Sequence, residues 1–138
     1  MESKENCWPY MKSNGFNFPV LGLLIIGPLE MLELKEEMIR IDTGYDGFLL
    51  LSEKKYKSMG FHLSELPRRY WPEGQTVTGE IFRLRRASAI VQIPKAGLKL
   101  EGYVDTFRGN LENIVGLDLI KSLKLLLDGP ERLACIIP

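Results

Sequence analysis

The chain has 138 residues, 18 Lys+Arg against 18 Asp+Glu, and 45% hydrophobic positions. That describes one domain able to bury a core without help from metal or disulfides, and too short for a two-domain enzyme with a cleft between domains. The zero charge balance disfavours a protein held on nucleic acid by counterion release.

In chain order, Met1 to Lys12 mixes charges with Trp8 and Pro9 and lacks a basic start followed by an apolar run, so no secretory signal is expected. Residues 1–17 are set apart as an N-terminal extension and 18–138 as a single domain. Phe18 to Ile26 reads as a buried strand closed by the Gly27-Pro28 turn, far short of the ~20 apolar residues of a membrane span. Leu29 to Ile41 has alternation but also the Glu and Leu content of a helix; a hairpin is preferred, with Met38–Ile41 as its second arm leading into Asp42. Gly47 to Leu51 is apolar, and Ser52 then caps a short helix over 53–59 that Gly60 stops. Pro67 to Gly74 is a loop.

From Gln75 onward, Val77, Gly79 and Ile81 alternate with polar residues, as Ala87, Ala89, Val91 and Ile93 do later, with a phase change near Arg85-Arg86 that requires a bulge or corner. Pro94–Gly97 is a turn, Leu98–Val104 a strand, and Ile114-Val115 a buried strand ending at Gly116. Leu117–Leu123 has helical spacing. Leu125–Leu127 and Leu133–Ile137 flank a turn at 128–131 and close the chain as a hairpin. The expected class is all-β with two short helices.

The single histidine, His62, excludes Ser-His-Asp, Cys-His and multi-His metal chemistry within one chain. Cys7 and Cys135 fit no zinc or dithiol spacing, so no metal or cofactor is expected, and reduced thiols in a cytoplasmic setting are the default. Arg68, Arg69, Arg83, Arg85 and Arg86 read as a solvated face, and Trp71 as a cover for the end of the core.

The informative segment is Ile41-Asp42-Thr43-Gly44, a carboxylate at the end of an apolar strand followed by a tight turn. Asp and Gly are ordinary turn residues, but a carboxylate between two apolar runs needs a partner or a purpose. Asp42, Asp46, Gly47 and Glu53 also fall at positions 1, 5, 6 and 12 of a calcium-loop template, although Gly44 and Leu50 stand where ligands belong.

The ordered set I-D-T-G-Y-D-G-F-L-L-L-S, Q-T-V-T-G-E and I-V-G-L-D-L-I resembles the retropepsin-like aspartic proteases, particularly their short single-domain prokaryotic members. The resemblance implies a closed β-barrel of the acid protease fold, one lobe per chain. It implies a catalytic Asp42, with Thr43 and Gly44 completing the active-site loop, and a second Asp42 from another copy, because Asp105-Thr106 is followed by Phe107 and cannot make the same turn. Two such carboxylates share a proton and activate water for peptide hydrolysis. Tyr45, Asp46 and Gly47 would contact substrate, Val77, Thr78 and Gly79 would belong to a flap tip, and Ile114, Val115 and Gly116 would support the loop from beneath. Tyr45 stands where a small residue is usual; it is not expected to reach the carboxylate, which points to a pH optimum nearer neutral, and crowding of the substrate pocket is the alternative expectation. The partners implied are a second copy and a peptide, with no nucleic acid or membrane. A catalytically silent, dimeric peptide-binding module of the same fold is the alternative.

Overall fold

The computed structural model describes residues 6–29 and 35–138. Strand β1 (Cys7–Pro9) leads into β2 (Met11–Ser13) and β3 (Phe16–Phe18), which pair as a hairpin. Its turn is Asn14-Gly15, both at positive φ, the conformation that matches the twist of a two-residue hairpin. Pro19 then separates β3 from β4 (Val20–Ile26), so the expected strand Phe18–Ile26 is two strands. The second arm expected at Met38–Ile41 is β5 (Glu37–Ile41), antiparallel to β4. Residues 30–34, where hairpin and helix competed in sequence, lie outside the described residues.

Next come β6 (Leu49–Leu50) and α1 (Glu53–Ser58). The cap is as expected: Ser52 Oγ accepts from Lys55 N–H at 3.2 Å, and Gly60 follows the helix at φ 83°. Strands β7 (Glu73–Gln75) and β8 (Ile81–Arg83) form a small hairpin. The phase change falls at Leu84, one residue before the arginine pair, and starts β9 (Arg85–Ile93). Strand β10 (Leu98–Thr106), β11 (Ile114–Val115), α2 (Leu117–Ile120), β12 (Leu125–Asp128) and β13 (Leu133–Ile136) complete the chain.

Six strands close a barrel in the order β10-β6-β11-β5-β4-β9. Period-two alternation fills it: Ala87, Ala89, Val91 and Ile93 of β9 and Ile39 and Ile41 of β5 are buried while their neighbours are less so. Leu21, Leu23, Leu49 and Leu51 are fully buried, each worth about 1.5–3 kcal/mol by removal from water. A three-stranded sheet, β1-β13-β12, packs beside the barrel with Trp8 in the core, so the segment assigned to an extension supplies both a strand and a core residue.

This sheet corrects the expectation of reduced thiols. Strands β1 and β13 set Cys7 directly opposite Cys135, and a disulfide joins them within one chain. A contact formed by pairing the first and last strands leaves no trace in local spacing, and the argument for a reducing compartment falls with it. The bridge spans a sequence separation of 128 residues. Closing so long a loop restricts the unfolded chain by about 5 kcal/mol in the chain-entropy account, with measured losses of about 2–5 kcal/mol on removal. The Cys7→Ser, Cys135→Ser double variant is therefore expected to melt roughly 10 °C lower. An unchanged melting temperature, together with two titratable thiols in the unreduced, unfolded wild type, would contradict the bridge. No helix among the described residues is long and apolar enough to cross a membrane.

Candidate active site

The end of β5 positions Asp42. Strand β11 lies between β5, to which it is parallel, and β6, to which it is antiparallel. Asp42 N–H continues the ladder by donating to Val115 O at 3.0 Å. The chain then turns, with Tyr45 N–H donating to Asp42 O at 3.2 Å, and Gly44 N–H donates to Asp42 Oδ1 at 2.9 Å. The carboxylate stays 40% exposed, and Thr43 and Gly44 beside it are exposed. Asp42 Oδ2 lies 3.6 Å from Arg40 Nη2.

Ile114, Val115 and Gly116 sit against this loop. Gly116 N–H donates to Phe48 O, and the first amides of α2 close onto the loop: Leu117 N–H donates to Tyr45 O at 2.8 Å and Asp118 N–H to Gly47 O at 3.1 Å. Helix-start amides without intrahelical partners thus hold the turn after Asp42. The approach requires glycine, since a Cβ on Gly116 would lie 2.1 Å from Gly47 O.

The Tyr45 side chain is packed into the chain. Its hydroxyl donates inward to Asp105 Oδ2 at 2.5 Å and lies 3.4 Å from Leu49 O. Asp105, 1% exposed, is gripped by Arg86, with Nε at 2.7 Å from Oδ1 and Nη2 at 3.0 Å from Oδ2. Burial first, and the Asp105 charge second, raise the Tyr45 hydroxyl well above its usual range and keep it a donor. The Arg86 guanidinium is held above its usual range by its bonds to Asp105, and it lies 4.7 Å from the Tyr103 ring centroid.

These contacts correct the reading of the arginine pair. Arg85 and Arg86 are not a solvated face: Arg85 is paired through two nitrogens with Glu65, which also accepts from the buried Tyr56 hydroxyl at 2.8 Å. Asp105, excluded in sequence as a second catalytic loop, anchors the first. Nothing in local spacing reveals it, but the sequence did hold a signal, a charged residue amid the apolar end of β10.

Asp46 is exposed on the loop. Val77, Thr78 and Gly79 lie together elsewhere, at the tip of the β7–β8 hairpin. The segment 76–80 is a turn here, before β8 begins at Ile81: Gly79 stands at φ 92°, Gly79 N–H donates to Thr76 O, and Thr76 Oγ1 accepts from Glu80 N–H at 3.0 Å. Val77 is fully exposed, and among the described residues no hydrogen bond joins this tip to the Asp42 loop. The calcium-loop reading fails on geometry, because β6 runs through the barrel between Asp46 and Glu53 and the chain does not wrap a common centre.

Two concavities mark the described surface. One, of about 590 Å³, is lined by residues including Ile26, Pro28, Ser88, Glu101 and Tyr103; the other lies by Ala96, Leu123 and Ile136. Neither includes Asp42.

No protein-family model matches the chain. An uncharacterized protein of Archaeoglobus fulgidus is 27% identical over 114 residues, covering 80% of this chain and 86% of that protein. Among solved structures, a retropepsin-like aspartic protease from Rickettsia conorii is similar with a TM-score of 0.53 at 11% identity, over 93% of this chain and 86% of that one. The retroviral protease-like domain of Ddi1 from Leishmania major gives a TM-score of 0.51 at 15% identity, over 88% of this chain and 94% of that domain. EIAV protease, in complex with the inhibitor HBY-793, gives 0.50 at 16% identity, over 81% and 93%. At such identities the likeness is one of fold, and it agrees with the closed six-stranded barrel and two short helices described above. The chain has the retropepsin-like fold.

Proposed function

We propose that the protein is an aspartic endopeptidase acting as a homodimer, with one Asp42 from each chain meeting across a two-fold axis. The observation that carries the proposal is the half-exposed Asp42 carboxylate, fixed by Gly44 N–H on an exposed turn at the end of a barrel strand. Among the described residues no second carboxylate is bonded to it, and its side chain is 40% exposed in the lone chain. Both features fit half a site completed by a second copy.

In this reading the paired carboxylates hold one proton between them, as like charges about 3 Å apart cannot both ionise. The ionised member takes a proton from water, whose oxygen attacks the peptide carbonyl carbon, while the protonated member donates to the carbonyl oxygen. Proton transfer to the amide nitrogen then lets the C–N bond break. Thr43 bonds across the axis, Gly44 admits the substrate backbone, Asp46 and Gly47 hold the substrate main chain, and the hairpin tip at Val77, Thr78 and Gly79 closes over the bound peptide. The chemistry uses no metal or cofactor.

The Arg40–Asp42 pair favours a second reading, a silent peptide-binding module in which the carboxylate only serves that contact. Digestion of a peptide library separates the two. Cleavage by wild type and none by Asp42→Asn supports the protease, whereas equal cleavage by both assigns the activity to something other than this site.

A further inference from the structure

We propose that Arg40 selects peptides carrying an acidic side chain beside the scissile bond; the proposal rests on the protease reading of Asp42. Arg40 lies on β5 and Asp42 is the first residue past its end, two positions on, so both side chains share one face, opposite the buried Ile39 and Ile41. The parallel register of β11, with Ile114 opposite Arg40, brings Glu112 to the same place from the preceding loop. The backbone of Glu112 is fixed there by the Asn110 side chain, which bonds Glu112 N–H at 3.1 Å and Glu112 O at 3.0 Å.

The guanidinium is loosely held for a group so close to the candidate catalytic carboxylate. Arg40 Nη2 lies 3.5 Å from Glu112 Oε1 and 3.6 Å from Asp42 Oδ2, with the Arg40 and Glu112 side chains 38% and 59% exposed. Arginines that serve the fold of this chain are gripped differently: Arg85 and Arg86 each hold a carboxylate through two nitrogens at 2.7 and 3.0 Å. A guanidinium carries five N–H donors, and Arg40 places one of them, at long range, on a protein acceptor. The fork left open matches a second carboxylate in bidentate geometry. Asp42 is tied to the Gly44 amide just past the end of the same strand, so the incoming carboxylate belongs to the substrate, and it displaces the exposed Glu112 side chain.

The test uses peptides identical except for Glu, Gln or Lys beside the scissile bond, with two readouts. Equilibrium binding is measured on Asp42→Asn, which keeps the peptides intact, and kcat/KM on the wild type. The Glu peptide is expected to be preferred over Gln by about tenfold in both, as an open arginine fork gains a charge-assisted bond. Arg40→Leu in the same background brings Glu and Gln to parity, Arg40→Lys gives a smaller preference, and Glu112→Gln enlarges it. Parity in the parent protein, or preference for Lys, overturns the proposal. Absence of any cleavage sinks the protease reading alone, because the binding preference and its loss in Arg40→Leu are still decided by the first readout.

Discussion

Asp42→Asn is expected to lower kcat/KM for peptide hydrolysis by at least about 10³-fold while the fold stays intact. Asparagine has nearly the shape of aspartate, and its side-chain oxygen still accepts from Gly44 N–H, so the turn keeps the bond that shapes it. What it loses is the ability to take a proton from water or to hold the shared one. The carboxylate is 40% exposed and its contact with Arg40 is a long surface pair, so the stability change is expected within about 0.5 kcal/mol. Paired measurements of kinetics and melting check both halves. A variant retaining more than a tenth of the rate, with an unchanged melting temperature, would mean that Asp42 does not carry the reaction.

Arg86→Met should have the largest effect on stability. Asp105 is 1% exposed and takes both close nitrogens of Arg86, so truncation leaves a buried carboxylate supported only by the Tyr45 hydroxyl. Breaking one side of such a pair costs about 3–5 kcal/mol. For a chain of this length that corresponds to a fall of roughly 10 °C or more in melting temperature. Removing the stranded charge as well, in Arg86→Met with Asp105→Asn, should recover a large part of the loss, since the amide oxygen still receives the Tyr45 hydroxyl. An exposed arginine such as Arg69, replaced in the same way, should change stability by within about 0.5 kcal/mol. A loss under about 1 kcal/mol for Arg86→Met would show that the pair does not organise this part of the molecule. Because Tyr45 belongs to the turn after Asp42, peptide hydrolysis should decline along with stability.

The parts legible in sequence are those fixed by residues close together in the chain. Ile41 to Gly44 announces a strand end and a turn, Ser52 and Gly60 bracket α1, and the closing hairpin forms with its turn at 129–132, one residue past the expected 128–131. The same local reading takes Thr76 to Glu80 for strand, but Thr76 bonds its own neighbours and Gly79 takes a positive φ, making the turn of the β7–β8 hairpin. It could not find contacts set by the barrel. Tyr45 and Asp105 are 60 positions apart, Asp105 and Arg86 are 19 apart, and Cys7 meets Cys135 only because the first and last strands pair. Such contacts depend on register across a closed sheet, and the period of each strand considered alone carries no record of its partner.

A site made by two chains is tested by mixing wild type with Asp42→Asn under conditions where subunits exchange, at constant total protein. If each site needs an Asp42 from both chains, an equal mixture retains about a quarter of the wild-type rate, because only that share of randomly formed dimers pairs two intact carboxylates. A rate of about one half, falling in proportion to the wild-type fraction, would mean that each chain acts alone and would contradict the shared site.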